Sequence, residues 1–115
     1  MSDLDDLRRQ LREFANDRDW DQFHSPKNLA MALAGEAGEL LENFQWLTEE
    51  QSRRPGPETL AAASEEIADV LLYLVRLSDK LGIDPAAAAR AKLNANAAKY
   101  PVDKARGNAR KYTEL

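Results

Sequence analysis

Leu4, Leu7, Leu11 and Phe14 recur at intervals of three and four, the spacing of one helix face, and predict an amphipathic helix over about Leu4 to Asn16. A polar and aromatic connector follows, from Arg18 through Trp20 and Phe23 to His24. Ser25-Pro26 then supplies a capping hydroxyl and a proline for the first helical position, predicting a second helix to about Leu47. Thr48 to Pro57 reads as a polar loop, because Pro55-Gly56-Pro57 cannot continue a helix. A third helix is expected over about Glu58 to Leu81, stopped by Gly82. Asp84-Pro85 repeats the cap-plus-proline signal and opens a fourth, to about Lys99, which Tyr100-Pro101 breaks. Strand-period alternation of useful length is absent. The expectation is an all-α bundle of about four helices, one domain over residues 1–103, and a polar basic tail over 104–115 that is irregular or attached to a partner subunit.

Two acidic pairs interrupt this pattern, Glu36-x-x-Glu39 and Glu66-x-x-Asp69. Residues three apart on a helix project from neighbouring points of one face. With Leu29 at zero and about 100° per residue, Leu33, Leu40, Phe44 and Leu47 fall within roughly 60° of it, and Glu36 lands about 20° away. A carboxylate inside an apolar stripe is costly unless paired or metal-bound. Glu39 sits at the edge of that stripe. Gly35 and Gly38 flank Glu36, and their missing side chains suggest close approach of a neighbouring helix or ligand. On the third helix Leu60, Ile67, Val70, Leu71, Leu74, Val75, Leu77 and Leu81 form a broad apolar arc, expected to be the buried side. Glu66, Asp69 and Tyr73 lie opposite with Arg76 and Lys80, facing a ligand cleft. Four carboxylates brought together by two helices would need cations between them, and hard oxygen ligands suit Mg²⁺, with Mn²⁺ as the alternative.

Composition narrows the setting. The 115 residues are 43% hydrophobic but only 7% aromatic, which suits packed helices rich in Ala and Leu. A chain of this size with apolar faces on both long helices is expected to complete its core by oligomerisation. Net charge is −4, so a nucleic-acid polymer is disfavoured as partner and an anionic substrate must be met locally. The absence of cysteine excludes disulfides and thiolate metal sites, and with an acidic N-terminus lacking an apolar run it predicts a cytoplasmic protein without signal peptide or membrane span.

Further residues suit a phosphate-bearing substrate. Lys92, Asn96 and Lys99 share a helix face as a phosphate clamp. Trp20, Phe23, Trp46 and Tyr73 offer aromatic faces on which a nucleobase can stack. His24, the single histidine, reads as a base contact or a hydrogen-bonded structural residue. A ferritin-like di-iron centre is excluded, because it needs Glu-x-x-His on two helices. A non-catalytic helical binding or oligomerisation module, its acids merely solvated, is the alternative from another class.

The ordered segments Asp17-Arg18-Asp19-Trp20, Gln22-Phe23-His24, Pro26-Lys27-Asn28-Leu29, Gly35 to Leu40, Phe44-Gln45-Trp46 and Glu65 to Val70 resemble the MazG-like all-α nucleotide pyrophosphohydrolases. Within them the chain is most similar to the dCTP pyrophosphatase branch, and the likeness runs over about residues 4 to 101. The resemblance implies Mg²⁺-dependent hydrolysis of a nucleoside triphosphate between its α- and β-phosphates, on dCTP, a modified dCTP or another damaged deoxynucleotide. It implies Glu36, Glu39, Glu66 and Asp69 as metal ligands, with Glu39 the candidate for orienting the attacking water. It implies Trp20, Phe23, His24, Trp46 and Tyr73 around the nucleoside, Lys92 and Asn96 toward the phosphates, and a homodimer or homotetramer whose sites are shared between subunits. One departure is Leu11, near which some relatives of that branch carry a histidine; it bears on base preference and not on the carboxylates.

Overall fold

The computed structural model describes residues 2–115, and every regular element among them is helical. Six α-helices follow one another: α1 (Asp3–Asp17), α2 (Pro26–Glu42), α3 (Glu49–Arg53), α4 (Pro57–Leu81), α5 (Pro85–Lys99) and α6 (Val102–Ala105), with short 3₁₀ turns at Asp21–Phe23 and Tyr112–Glu114. Four of these are the expected long helices. The starts follow the capping chemistry: Ser2, Ser25 and Asp84 each accept from a backbone N–H of the first turn. Gly82 ends α4 with φ of 68°, a left-handed conformation that costs any L side chain free energy.

Two expectations about the connections are corrected. α2 stops at Glu42 instead of Leu47, because the Asn43 amide donates to the carbonyls of Glu39 (3.2 Å) and Leu40 (3.5 Å) and closes the last turn. The segment read as a loop holds α3, started by a capping box in which Thr48 Oγ1 accepts from Gln51 N (3.1 Å) and Gln51 Oε1 accepts from Thr48 N (2.9 Å). Thr48-x-x-Gln51 is the local sequence signal for this helix. α6 runs into the start of the tail expected over 104–115, and the 3₁₀ turn at Tyr112–Glu114 lies within it.

Two compact units divide the chain, one ending at Ile83 and the other beginning at Asp84. In the first, α4 packs chiefly on α2 and also on α1. Ala15, Leu29, Ala63 and Val75 are its buried apolar residues, Leu29 being 2% exposed. The inward side of α4 reverses the expectation for that helix. Arg76 is buried and Glu66, Asp69 and Tyr73 are half-buried, whereas Leu60 and Ile67 are 60% and 56% exposed, with Leu71, Leu74 and Leu81 also exposed. The arc is split, since Val75 from it is buried while most of its leucines face outward. α4 turns its polar-looking side inward because Arg76, Asp79 and Lys80 find partners on α1 and the connector. A Cβ at Gly35 or Gly38 would meet nothing within 4 Å, so the close approach expected at these glycines is not made among the described residues.

In the second unit, Tyr100 and Tyr112 meet edge to face at 6.0 Å and the Lys99 ammonium lies 4.9 Å from the Tyr112 ring centre. No helix of the described residues is long and apolar enough to cross a membrane.

Candidate metal centre and adjoining cavity

Glu36 and Glu39 stand one turn apart on α2, and α4 brings Glu66 against them. One carboxylate oxygen from each of the three lies within 4.8 Å of the others. Such an arrangement is repulsive if all three are ionised. Burial pushes the Glu36 carboxyl up to about 7, aided by its side-chain interactions with Glu39 and Glu66 and by the charges of Glu39 and Asp69. Burial also raises Glu66, with Glu39 and Asp69 adding to the effect and the hydrogen bond with Glu36 opposing it. Oε2 of Glu36 and Oε2 of Glu66 are buried without a hydrogen-bond partner. Buried acceptors left unpaired are uncommon, and two of them in one cluster mark a place that a cation fits. All donors are carboxylate oxygens, a set that suits a hard divalent ion.

Asp69, the fourth expected ligand, is not among the three that converge. It lies close enough to raise both Glu36 and Glu66, and it also lines a neighbouring cavity of about 260 Å³. Leu11 and Phe14 of α1, Trp20 and His24 of the connector, Leu29 of α2, and Leu72, Tyr73 and Arg76 of α4 complete the lining. Ligand clefts usually measure about 300–1,000 Å³, so this one matches a ring better than a whole nucleotide. Trp20 is held by its backbone N–H, which donates to Ala15 O at 2.8 Å, and by an edge-to-face contact with Phe14 at 5.7 Å. Asp19, at φ of 55°, makes the reversal that folds Trp20 back onto α1; aspartate is among the side chains that tolerate this region best.

The structure therefore places Trp20, His24, Tyr73 and Asp69 around one cavity beside the Glu36–Glu39–Glu66 cluster. Other expected contacts are not among the lining residues. Phe23 is 61% and Trp46 87% exposed, and neither lines the cavity. Lys92 and Asn96 belong to α5 in the second unit, one turn apart on one face, with Lys92 exposed and Asn96 half-buried. Periodicity did not single out Leu11, Phe14 and Arg76 as cavity residues. For Arg76 the signal was its place three residues after Tyr73 and seven after Asp69, on the same face.

A charged network adjoins the cavity. Arg12 clasps Asp79 through Nε and Nη2, both at 2.7 Å, and Arg76 Nη2 donates to Asp21 Oδ1 at 2.7 Å. Lys80 also donates to Asp21. The Arg12 guanidinium holds the Asp79 carboxyl below its ordinary value, and Lys80 does the same for Asp21.

Comparison with known proteins agrees with this geometry. The MazG-like family model matches residues 32–115. The dCTP pyrophosphatase 1 of Homo sapiens is 48% identical over 97% of this chain and 67% of its own length, and that of Bos taurus is 47% identical over 97% and 68%. A solved pyrophosphatase from Archaeoglobus fulgidus superposes with a TM-score of 0.78 at 40% identity, covering 88% of this chain and 94% of that one. The family match takes in both acidic pairs, and the likeness to these relatives extends to the α1–connector segment that walls the cavity; the chain belongs to the MazG-like family.

Proposed function

We propose that this chain is a nucleotide pyrophosphohydrolase that converts dCTP, or a modified dCTP, to the monophosphate and pyrophosphate. The observation that carries the reading is the cluster of three carboxylates with two unpaired buried oxygens, sharing Asp69's neighbourhood with an aromatic-walled cavity the size of a ring. The relatives' activity on dCTP supports the choice of base.

Glu36, Glu39, Glu66 and Asp69 would hold Mg²⁺ or Mn²⁺. When bound, the ion supplies neutralisation of triphosphate charge and a lower pKa for water at the reacting phosphorus. Glu39 is exposed, unlike Glu36 and Glu66, which supports giving it the role of orienting the attacking water. Trp20 and Tyr73 give the base apolar faces for stacking, and their rings exclude solvent from it. His24 contacts the base edge. Phe23 and Trp46, exposed here, are proposed to close over the nucleoside, and Lys92 and Asn96 to meet the triphosphate oxygens. The exposed leucines of α4 are proposed to be covered by a second copy, giving a homodimer or homotetramer with shared sites, in the cytoplasm.

The test is product analysis after incubation with a panel of deoxynucleoside and nucleoside triphosphates and Mg²⁺. Monophosphate and pyrophosphate formed fastest from dCTP is the expected result. The same products formed faster from another base would move the specificity, and no turnover by folded, Mg²⁺-saturated protein would refute the enzymatic reading.

A further inference from the structure

Arg76 is a buried cation, at 5% exposure, on the wall of the cavity. A guanidinium has donors only and stays protonated at any working pH. Three of its nitrogens are engaged: Nη2 donates to Asp21 Oδ1 at 2.7 Å, Nη1 to Asp79 Oδ2 at 3.5 Å, and Nε to His24 Nδ1 at 3.1 Å. The last of these determines the state of the histidine. A ring nitrogen that accepts an N–H bond carries no proton, so the imidazole is neutral and its one proton is on Nε2. With Nδ1 occupied, Nε2–H is the only polar atom the ring has left for a ligand in the cavity.

We propose that Arg76 is a positioning residue that holds His24 in the neutral Nε2–H tautomer, so that the cavity offers the nucleobase edge a hydrogen-bond donor with no accepting capacity. This rests on the nucleotide reading above and sharpens it. Cytosine presents a bare N3, an acceptor, whereas O2 accepts in every pyrimidine, so the donor discriminates where it meets N3. Thymine and uracil carry N3–H at the corresponding position, and a ring fixed as a donor cannot receive it. Arg76 thereby selects for the cytosine-type edge without touching the base itself. The charges around the ring agree: burial, Arg76 and Lys80 all disfavour the imidazolium, Asp21 alone opposes them appreciably, and Asp21 is itself engaged by both cations. Asp69, also on the cavity wall, makes no hydrogen bond to the ring.

The chain has one histidine, so ¹⁵N labelling at histidine gives a single ring to observe. In the wild-type 115-residue chain without nucleotide at pH 7.5, Nε2 should appear protonated and Nδ1 unprotonated. A proton on Nδ1, a tautomer average or an imidazolium would overturn the proposal. Arg76→Met should give averaged ring nitrogens and raise KM for dCTP about tenfold, the loss of one hydrogen bond, with kcat changed much less. Should that variant fail to fold, His24 variants decide. His24→Gln, whose amide can donate to cytosine N3 or turn its oxygen to receive thymine N3–H, should keep dCTP binding but lose most of the dCTP-over-dTTP preference, and His24→Phe should lower that ratio about tenfold. An unchanged ratio in His24→Phe would overturn the selectivity. Turnover by a protein with its proton on Nδ1 refutes this inference and leaves the enzymatic reading intact. Absence of turnover with the proton on Nε2 refutes the enzymatic reading, and base selection with it, while the tautomer assignment holds.

Discussion

Proton release on metal binding is the sharpest consequence of the carboxylate cluster. Glu36 titrates at about 7 in the folded, metal-free protein, driven by burial and by Glu39, Glu66 and Asp69 around it. A cation can be bound through that oxygen only if the proton leaves, so binding and deprotonation are linked. The group is mostly protonated at pH 6 and mostly ionised at pH 8, which sets the direction in which the protons Glu36 expels per site filled change with pH. Glu66, also raised, adds to this number. The assay is titration calorimetry with Mg²⁺ at fixed pH in buffers of different ionisation enthalpy, whose slope reads protons released. The expected slope is at least about half a proton at pH 7, rising at pH 6 and nearly gone at pH 8.5. Glu36→Gln should abolish most of the release and weaken Mg²⁺ binding together. Binding at pH 6 with no proton released would refute the reasoning, since it would mean that Glu36 is already ionised or takes no part. The sign for stability follows. Between 4.5 and 7 the native state holds more protons than the unfolded chain, so metal-free stability falls as pH rises through that window, and saturating Mg²⁺ should reverse the trend.

Other perturbations test the frame that holds the site. Leu29→Ala removes the buried anchor of α2 on the cavity wall and should cost about 2–5 kcal/mol in urea unfolding; a loss under 1 kcal/mol would contradict the packing. Asp79→Asn weakens the clasp with Arg12 and leaves buried Arg76 with less countercharge, which should destabilise by about 2 kcal/mol at pH 7. Because the Asp79 carboxyl is held below its ordinary value, that contribution is present above pH 4 and is lost as pH falls through the depressed value, so wild type and variant should converge in acid. Gly82→Ala meets no steric obstacle, so its cost should be the backbone conformation alone, about 1 kcal/mol by thermal unfolding.

Local chemistry determined most of the chain's outline. Ser25-Pro26 and Asp84-Pro85 begin helices, Gly82 ends one, and Glu36 betrays itself by standing in an apolar stripe, because capping, backbone freedom and helical period act over a few residues. Thr48-x-x-Gln51 belongs to the same local class of signal. Tertiary structure decided the orientation of α4. Its richest apolar arc, from Leu60 and Ile67 to Leu81, was the natural candidate for the core, yet the fold turns Glu66, Asp69, Tyr73 and Arg76 inward. Periodicity marks a face without naming what lies against it. Arg76 is stable when buried only because Asp21 and His24, more than fifty residues earlier, arrive beside it with Asp79. Glu66 likewise joins a carboxylate cluster only when α2 carries Glu36 and Glu39 to it. A helix's period is written within one turn, whereas the partner of a buried charge is chosen by the path of the whole chain.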